Sequence, residues 1–542
     1  MKYPNIWGRG ALFCYSGYEG VCTFNKSMCG TYAGDRMGVL LDGGKSELYF
    51  ELTDVTDVAY DIVAHDIMIA NVNDELVVSM VFADENTVMG HFVPGVAEPV
   101  LIGDADKYYF CKMNDTFLLT TDKSKLDKNY DLDVLINRYL EFYDSINPPF
   151  DMKDSEERTL AKCLSVLKSQ VYSTDGVFCQ RWTTPDKLPH RFLWLWDSVF
   201  HSLGNVFFDV DLAYDTLASV MDGQTPDGFI PHLVSVDWHS EITQPPVLAW
   251  GFWEWYQKTS DLSRLELHYE GLKKYLKWNK YNRDANNNDL YEWVINTDDP
   301  KCRCDECGMD NSPRFDNPEP MECIDFSCFM ANEMRYMAKI AKVLGKADDC
   351  TGFEAEYEKI KAAVNDNLYC DEDGMYYDKI IASGELKRVK AVSSFLPLFA
   401  GICNEAQAKK LVKNYIDEFK CPAGISSVAK SDPLYGTDMW RGPVWLNYSY
   451  MIITGLISYG MVEEAKELIQ KTLDTIVFNY EMFGTVYEFY DSENKIIPSR
   501  LNRKGIAIKP YNMLVRMQSI PDYGWTAALF VKLIYDYEKY II

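Results

Sequence analysis

The chain has 542 residues, of which 47% are hydrophobic and 25% charged, with a formal net charge of −27. That length exceeds one small core and predicts roughly two to four domains, unless much of it closes into a single large barrel. So acidic a chain argues against nucleic acid and anionic membranes as partners, because both require positive potential. No apolar run reaches the ~18 residues of a membrane-spanning helix.

The opening residues, MKYPNIWGRGALFCYSGYEG, hold no uninterrupted apolar run and no small-residue cleavage site, so no secretory signal is read. The 15 scattered cysteines then read as free thiols in a reducing, cytoplasmic setting. One cluster, CRCDECGMD, groups Cys302, Cys304 and Cys307 ahead of Cys323 and Cys328. Thiolates so spaced can hold zinc, but no second CxxC or neighbouring histidine completes the set, and buried or half-exposed thiols are the plainer reading.

Up to about Asn147 the pattern is β-rich. GVLLDGGKSELYFEL carries two apolar runs around Asp42-Gly43-Gly44, a hairpin signal. ELVVSMVFAD and KYYFCKMNDTFLLTTD continue the short β-branched and aromatic runs, each ended by Asp or Asn. These predict an antiparallel β-sandwich over residues 1–147. Pro148-Pro149 breaks the pattern, and Asp154 with Glu157 reads as a helix cap with its partner.

From residue 148 to 542 the period is helical. Leu160, Cys163, Leu164, Leu167 and Val171 share one face. FSCFMANEMRYMAKIAKVLGKA predicts a helix stopped at Gly345, and Asn404 with Gln407 caps another. WLNYSYMIITGLISYG followed at once by MVEEAKELIQKTLDTIVFNY predicts an αα-hairpin with a very short link. Roughly ten to twelve helices separated by long polar loops fit an α/α toroid with its site at one end of the ring.

Those loops carry the chemistry. RWTTPDKLPHRFLWLWDSVFHS holds Trp194, Trp196 and Asp197; DGQTPDGFIPHLV holds Gln224, Asp227 and His232; TQPPVLAWGFW holds Gln244. GMDNSPRFD places Asp310 between Gly308 and Pro313, beside Arg314. YGTDMWRGPVWLNYSY supplies Trp440, Arg441 and Trp445, GTVYEFYDSEN carries Glu488, and DYGWTAALF carries Trp525. Each residue alone has a plain structural reading: a core tryptophan, a capping aspartate, a structural ion pair. A sugar site accounts for the set. Hydroxyls on every ring carbon call for charged, bidentate partners, ring faces for indole planes, and glycosidic cleavage for two carboxyl groups flanking the bond. Asp310 and Glu488 are the carboxylates chosen.

The ordered motifs WLWDSVFHS, DGFIPH, TQPPVLAW, ECGMDNSPR, DMWRGPVWLNYSY and DYGWTAALF, over roughly residues 175–535, resemble the inverting α-glycosidases of glycoside hydrolase family 63. More distantly they resemble trehalases and other (α/α)6-barrel glycosidases. The resemblance implies an (α/α)6 toroid preceded by an antiparallel β-sandwich. It makes Asp310 the general acid and Glu488 the general base, with Glu493 as the fallback, and an α-glucoside the expected substrate. It places Trp196, Asp197, Gln244, Trp440, Arg441, Trp445 and Trp525 on the sugar-binding motifs. The segment from Asn494 to Gly524 departs from the family pattern, being longer and less marked by glycine.

No cofactor is required by this chemistry. A structural calcium is the one ion raised, from the alternate oxygen-bearing residues Asp284, Asn286 and Asn288; lacking the Gly and Glu of an EF-hand, the stretch also reads as an Asn-rich turn. Two rival functions share the toroid and the aromatics. A polysaccharide lyase would need a Tyr or His base and cations for a uronate, against which stand 7 histidines and the acidic balance. A glycan-binding protein without catalysis would not need both carboxylates.

Overall fold

The computed structural model describes residues 2–55, 57–104, 106–299, 302–504 and 518–541. Eleven strands fill the first 120 residues: Leu12–Cys14 (β1), Cys29–Tyr32 (β2), Gly38–Leu41 (β3), Ser46–Leu52 (β4), Ala59–Val63 (β5), Ile67–Val72 (β6), Glu75–Asp84 (β7), Thr87–Phe92 (β8), Ala97–Ile102 (β9), Tyr109–Met113 (β10) and Thr116–Thr120 (β11). They form two antiparallel sheets, ordered β1-β2-β3-β4-β9 and β10-β11-β8-β7-β6-β5. The expected hairpin is β3–β4, registered Leu41 opposite Ser46 with Asp42–Gly44 as its turn. Phe50 of one sheet meets Phe117 of the other at 5.6 Å between ring centroids, and both sheets feed one apolar core. A helix, Leu132–Asp144 (α1), lies against β7, where the Tyr139 hydroxyl donates to the Phe82 carbonyl at 2.9 Å.

Among the described residues thirteen helices follow: Asp154–Ser169 (α2), Leu195–Asn205 (α3), Val210–Asp222 (α4), Leu248–Thr259 (α5), Leu262–Arg283 (α6), Ile324–Val343 (α7), Ala347–Asn367 (α8), Leu396–Phe399 (α9), Glu405–Asn414 (α10), Leu446–Ser458 (α11), Val462–Phe483 (α12), Gly524–Asp536 (α13) and the short Glu538–Ile541 (α14). The odd-numbered helices from α3 onward close a ring: α3 packs on α5, α5 on α7, α7 on α9, α9 on α11, α11 on α13, and α13 returns to α3. The even-numbered helices form an outer layer, with α4 against α3 and α5, α6 against α5, and α12 against α11. Sequence explains the split. Every residue of α3 is buried and α13 is buried along nearly its whole length, as an inner helix requires, whereas α8 buries only Ile360 and Val364. Gly204 permits the α3–α13 crossing, since a Cβ there would stand 2.6 Å from the Ala528 Cα.

The architecture is therefore an antiparallel β-sandwich followed by an (α/α)6 toroid. Local corrections are small. The cap of α2 is Lys153 with Glu156, one residue before the Asp154–Glu157 pair expected. Asn404 and Gln407 form the capping box of α10 as expected. Buried Asp522 joins the layers: it accepts from the Leu12 amide of β1 at 2.7 Å, pairs with Lys162 of α2 at 2.9 Å, and accepts from Thr485 at 2.7 Å. It immediately precedes the loop that enters α13, so the sandwich braces one wall of the site.

Candidate active site

Five of the six inner helices, all but α9, have cavity-lining residues at or before their N-terminal ends. Trp196 and Asp197 open α3, Gln244 precedes α5, Asp310 lies in the loop before α7, Trp445 caps α11, and Tyr523 and Trp525 open α13. Helix N-termini carry partial positive charge, which suits a cavity walled by carboxylates. The cavity holds about 390 Å³. Among the residues expected at the site, Trp194, Trp196, Asp197, His232, Gln244, Asp310, Trp445, Glu488 and Trp525 line it.

Asp310 owes its position to the loop around it. Gly308 adopts φ +70°, and a Cβ there would stand 2.3 Å from the Trp196 ring, so glycine alone fits between the acid loop and the indole. Arg303 and Cys304 donate their amides to the Asp310 carbonyl, closing the loop on itself. The Asp310 carboxylate pairs with the Lys504 ammonium at 2.6 Å. That ammonium also contacts the Cys302 thiol at 3.1 Å, and Cys302 bonds Asp305. Burial works against the Lys504 charge, but Asp310 outweighs it and raises the Lys504 pKa.

Glu488 is 2% exposed. Its backbone is fixed by its amide donating to the Ile520 carbonyl at 2.9 Å and its carbonyl accepting from the Trp525 indole at 3.2 Å. Its Oε1 accepts from Arg503 at 3.0 Å, while Oε2 is buried without a partner. Burial raises the Glu488 pKa, and the charges of Arg503 and His190 oppose the rise. Asp197 is pushed well above the usual carboxylate range, first by burial and then by the Glu488 charge. Its Oδ1 is likewise buried and unpartnered. Burial drives His232 down to about 4, so it is neutral, with Nδ1 on the Ser240 hydroxyl at 2.6 Å.

The indoles form a continuous wall. Trp196 meets Trp525 edge to face at 5.6 Å, Trp525 meets Trp445 at 5.6 Å, and Trp445 stacks on Phe489 at 4.7 Å. The Trp194 Nε1 is buried and free of any partner, a donor available to a ligand.

Four expected residues stand apart from the lining. Trp440 lies behind Trp445, stacked at 3.8 Å and 5°, with its amide on Asn311. Arg441 donates to the Asn311 carbonyl at 3.0 Å and pairs with Asp316, so this segment clamps the acid loop from outside the cavity. Arg314 is 1% exposed and wholly committed to Asp325 and Asp378. Gln224 donates to the Gly228 and Gly271 carbonyls, tying the loop after α4 to α6. The fallback Glu493 pairs with Lys430 at 2.8 Å and does not line the cavity. Asp284, Asn286 and Asn288 make a turn: Asp284 accepts the Asn288 and Asp289 amides, and both asparagine side chains donate to Glu322. All 15 cysteines are free thiols.

Sequence reasoning missed His190, Arg503, Lys504 and Tyr523, which also line the cavity. Tyr523 sat two residues from Trp525 in a motif already singled out. The Arg503-Lys504 pair had only the weak signal of a basic dipeptide 15 residues past Glu488. Residues 505–517 of the divergent segment lie outside the described residues.

A closed ring of inner helices, opening at one end into an indole-walled cavity lined by carboxylates from two loops far apart in the chain, is the architecture of an (α/α)6 glycoside hydrolase. More narrowly, residues 190–495 match the mannosylglycerate hydrolase MGH1-like glycoside hydrolase domain, and the chain belongs to that family. The mannosylglycerate hydrolase of Thermus thermophilus is 26% identical over 53% of this chain and 86% of its own length. The mannosyl-oligosaccharide glucosidase of Saccharomyces cerevisiae is 26% identical over 44% of this chain and 31% of its own. The crystal structure of the family 63 mannosylglycerate hydrolase from Thermus thermophilus with glucose shares the fold at a TM-score of 0.57 and 24% identity, covering 69% of this chain and 99% of that one. No helix among the described residues is long and apolar enough to cross a membrane.

Proposed function

We propose that the protein hydrolyses an α-hexosyl bond with inversion, Asp310 acting as general acid and Glu488 as general base. One observation carries the reading: Asp310 and Glu488, 178 positions apart in the chain, line the same cavity, and one buried oxygen of Glu488 is left without a partner. Protonated Asp310 gives its proton to the leaving oxygen as the glycosidic bond breaks. Ionised Glu488 takes a proton from a water attacking C1 from the opposite face, and the hydroxyl of the released sugar has the opposite configuration. Trp196, Trp445 and Trp525 exclude bulk water, while Asp197, Gln244 and the Trp194 indole hydrogen-bond the ring hydroxyls. The Lys504 ammonium pairs with one Asp310 oxygen, and proton donation from that oxygen requires substrate binding to displace it.

The hexose is glucosyl by resemblance, and the mannosylglycerate hydrolases among the relatives support mannosyl as the second candidate. The two cations, Arg503 and Lys504, favour a leaving group that carries a carboxylate. The test is a panel of α-glucosides and α-mannosides with neutral and carboxylate aglycones, glycosylglycerates included, followed by NMR of the sugar first released. The β-anomer is expected. Release of the α-anomer refutes inversion, and an unsaturated product in place of a free hexose supports a lyase.

A further inference from the structure

Of the 13 tryptophans, Trp238 alone is exposed, at 56%, and its loop is joined to the cavity wall. A short antiparallel ribbon carries it there. Leu193-Trp194 pairs with Leu233-Val234, Trp194 opposite Leu233, and both of these line the cavity. Trp238 lies in the loop that continues this ribbon outward. The loop is fixed: Ser235 donates to the Trp238 carbonyl at 2.6 Å, and His239 bridges back to Val234.

The Trp238 ring meets Phe192 at 6.3 Å and 61°, and Phe192 stacks on Phe24 at 6.1 Å and 27°. Phe192 sits two residues from His190 and two from Trp194, both cavity residues, and so adjoins the lining. Neither Phe192 nor Trp238 packs into the apolar core. Phe24 is supplied by the β-sandwich, and Arg191 covers it, its guanidinium 4.5 Å from the ring centroid and donating to the Phe24 carbonyl at 2.6 Å. Core packing thus accounts for Phe24, which also meets Tyr172 and Trp182, but not for Phe192 and Trp238.

We infer that Trp238 and Phe192 form an outer sugar subsite, at which a pyranose ring of the leaving group stacks after the chain has left the cavity. This rests on the hydrolase reading. The occupant follows from continuity: a chain leaving the indole-walled cavity past Trp194 next meets Phe192 and then the open indole face. A pyranose presents an apolar C–H face to an indole, and a tryptophan held on a fixed loop loses little entropy on binding it. The β-sandwich thereby gains a part in substrate binding through Phe24.

The test is calorimetric titration of the Asp310→Asn enzyme with methyl α-glucoside, maltose and maltotriose, and with the α-mannosyl series, so that binding is read without turnover. In the parent, Kd is expected to fall with each added ring. In Trp238→Ala the advantage of the longer ligands over the methyl glycoside should shrink about five- to tenfold, and Trp238→Phe should restore most of it. A length preference that survives Trp238→Ala overturns the subsite, as does no gain with length in the parent. Failure of the hydrolase reading shows separately, as absent turnover by the wild-type enzyme on the glycoside panel.

Discussion

Arg314, buried, and Arg503, partly buried, are both bound to carboxylates, and the two regions around them are opposites. Around Arg314 every charge is answered. Asp325 and Asp378 grip the guanidinium from two sides, Asp325 also accepts from the Trp293 indole at 2.9 Å, and Asp378 accepts from the Ile324 amide at 3.0 Å. The cluster is dry and closed, and it anchors the acid loop to the start of α7. Around Arg503 the answers are incomplete. Glu488 and Asp197 each keep an unpartnered oxygen, and both cations, Arg503 and Lys504, come from within the Asn494–Gly524 segment that departs from the family pattern. A satisfied buried network stabilises a fold; a buried network with oxygens left over is built for something that arrives later.

This contrast predicts that the two regions fail in different ways. Asp310→Asn should lower kcat by about 10³- to 10⁴-fold while lowering the melting temperature only slightly, because the Lys504 ammonium that loses its partner is still about a third exposed to water. Arg314→Met should do the reverse. Removing the cation strands two buried carboxylates and should cost about 3–5 kcal/mol of stability, read by denaturant titration. Equal loss of activity and stability in both variants would erase the distinction.

The next effect is on pH dependence. Glu488 must be ionised to accept a proton from water, so activity is lost as pH falls through its pKa, which burial has already raised. Arg503 is the charge that most restrains that rise. Arg503→Met should therefore move the acidic limb of the kcat/KM profile to higher pH, by roughly one unit. An unmoved limb would mean that another group sets it.

The sequence made the contrast only half visible. Asp310, Glu488 and the tryptophans were legible because their motifs place rigid turns and indoles where a core has no use for them. Arg314 reads as a sugar ligand in the sequence because it lies four residues from Asp310 in a polar loop; its partners lie 11 and 64 residues away, at Asp325 and Asp378. Trp440 and Arg441 read likewise, since no local pattern separates an indole facing a cavity from the one stacked behind it. The toroid was legible in its periodicity, yet only the closing contact of α13 on α3 distinguishes a ring from an open array.

Gln224 gives the smallest and sharpest test, because it lies in a loop that carries site residues yet takes no part in the lining. Its amide bridges the loop after α4 to the Gly271 carbonyl within α6, a contact between outer helices. Gln224→Ala removes two neutral hydrogen bonds to backbone carbonyls and should cost about 1 kcal/mol of stability. Its kcat/KM should match wild type at every pH where the protein stays folded. His232, eight residues on, lies in the cavity wall with its ring held neutral by burial. His232→Ala should raise KM with little change in melting temperature. If Gln224→Ala raised KM instead, the loop would be one functional unit, and the line between bracing residues and binding residues would have to be redrawn inside it.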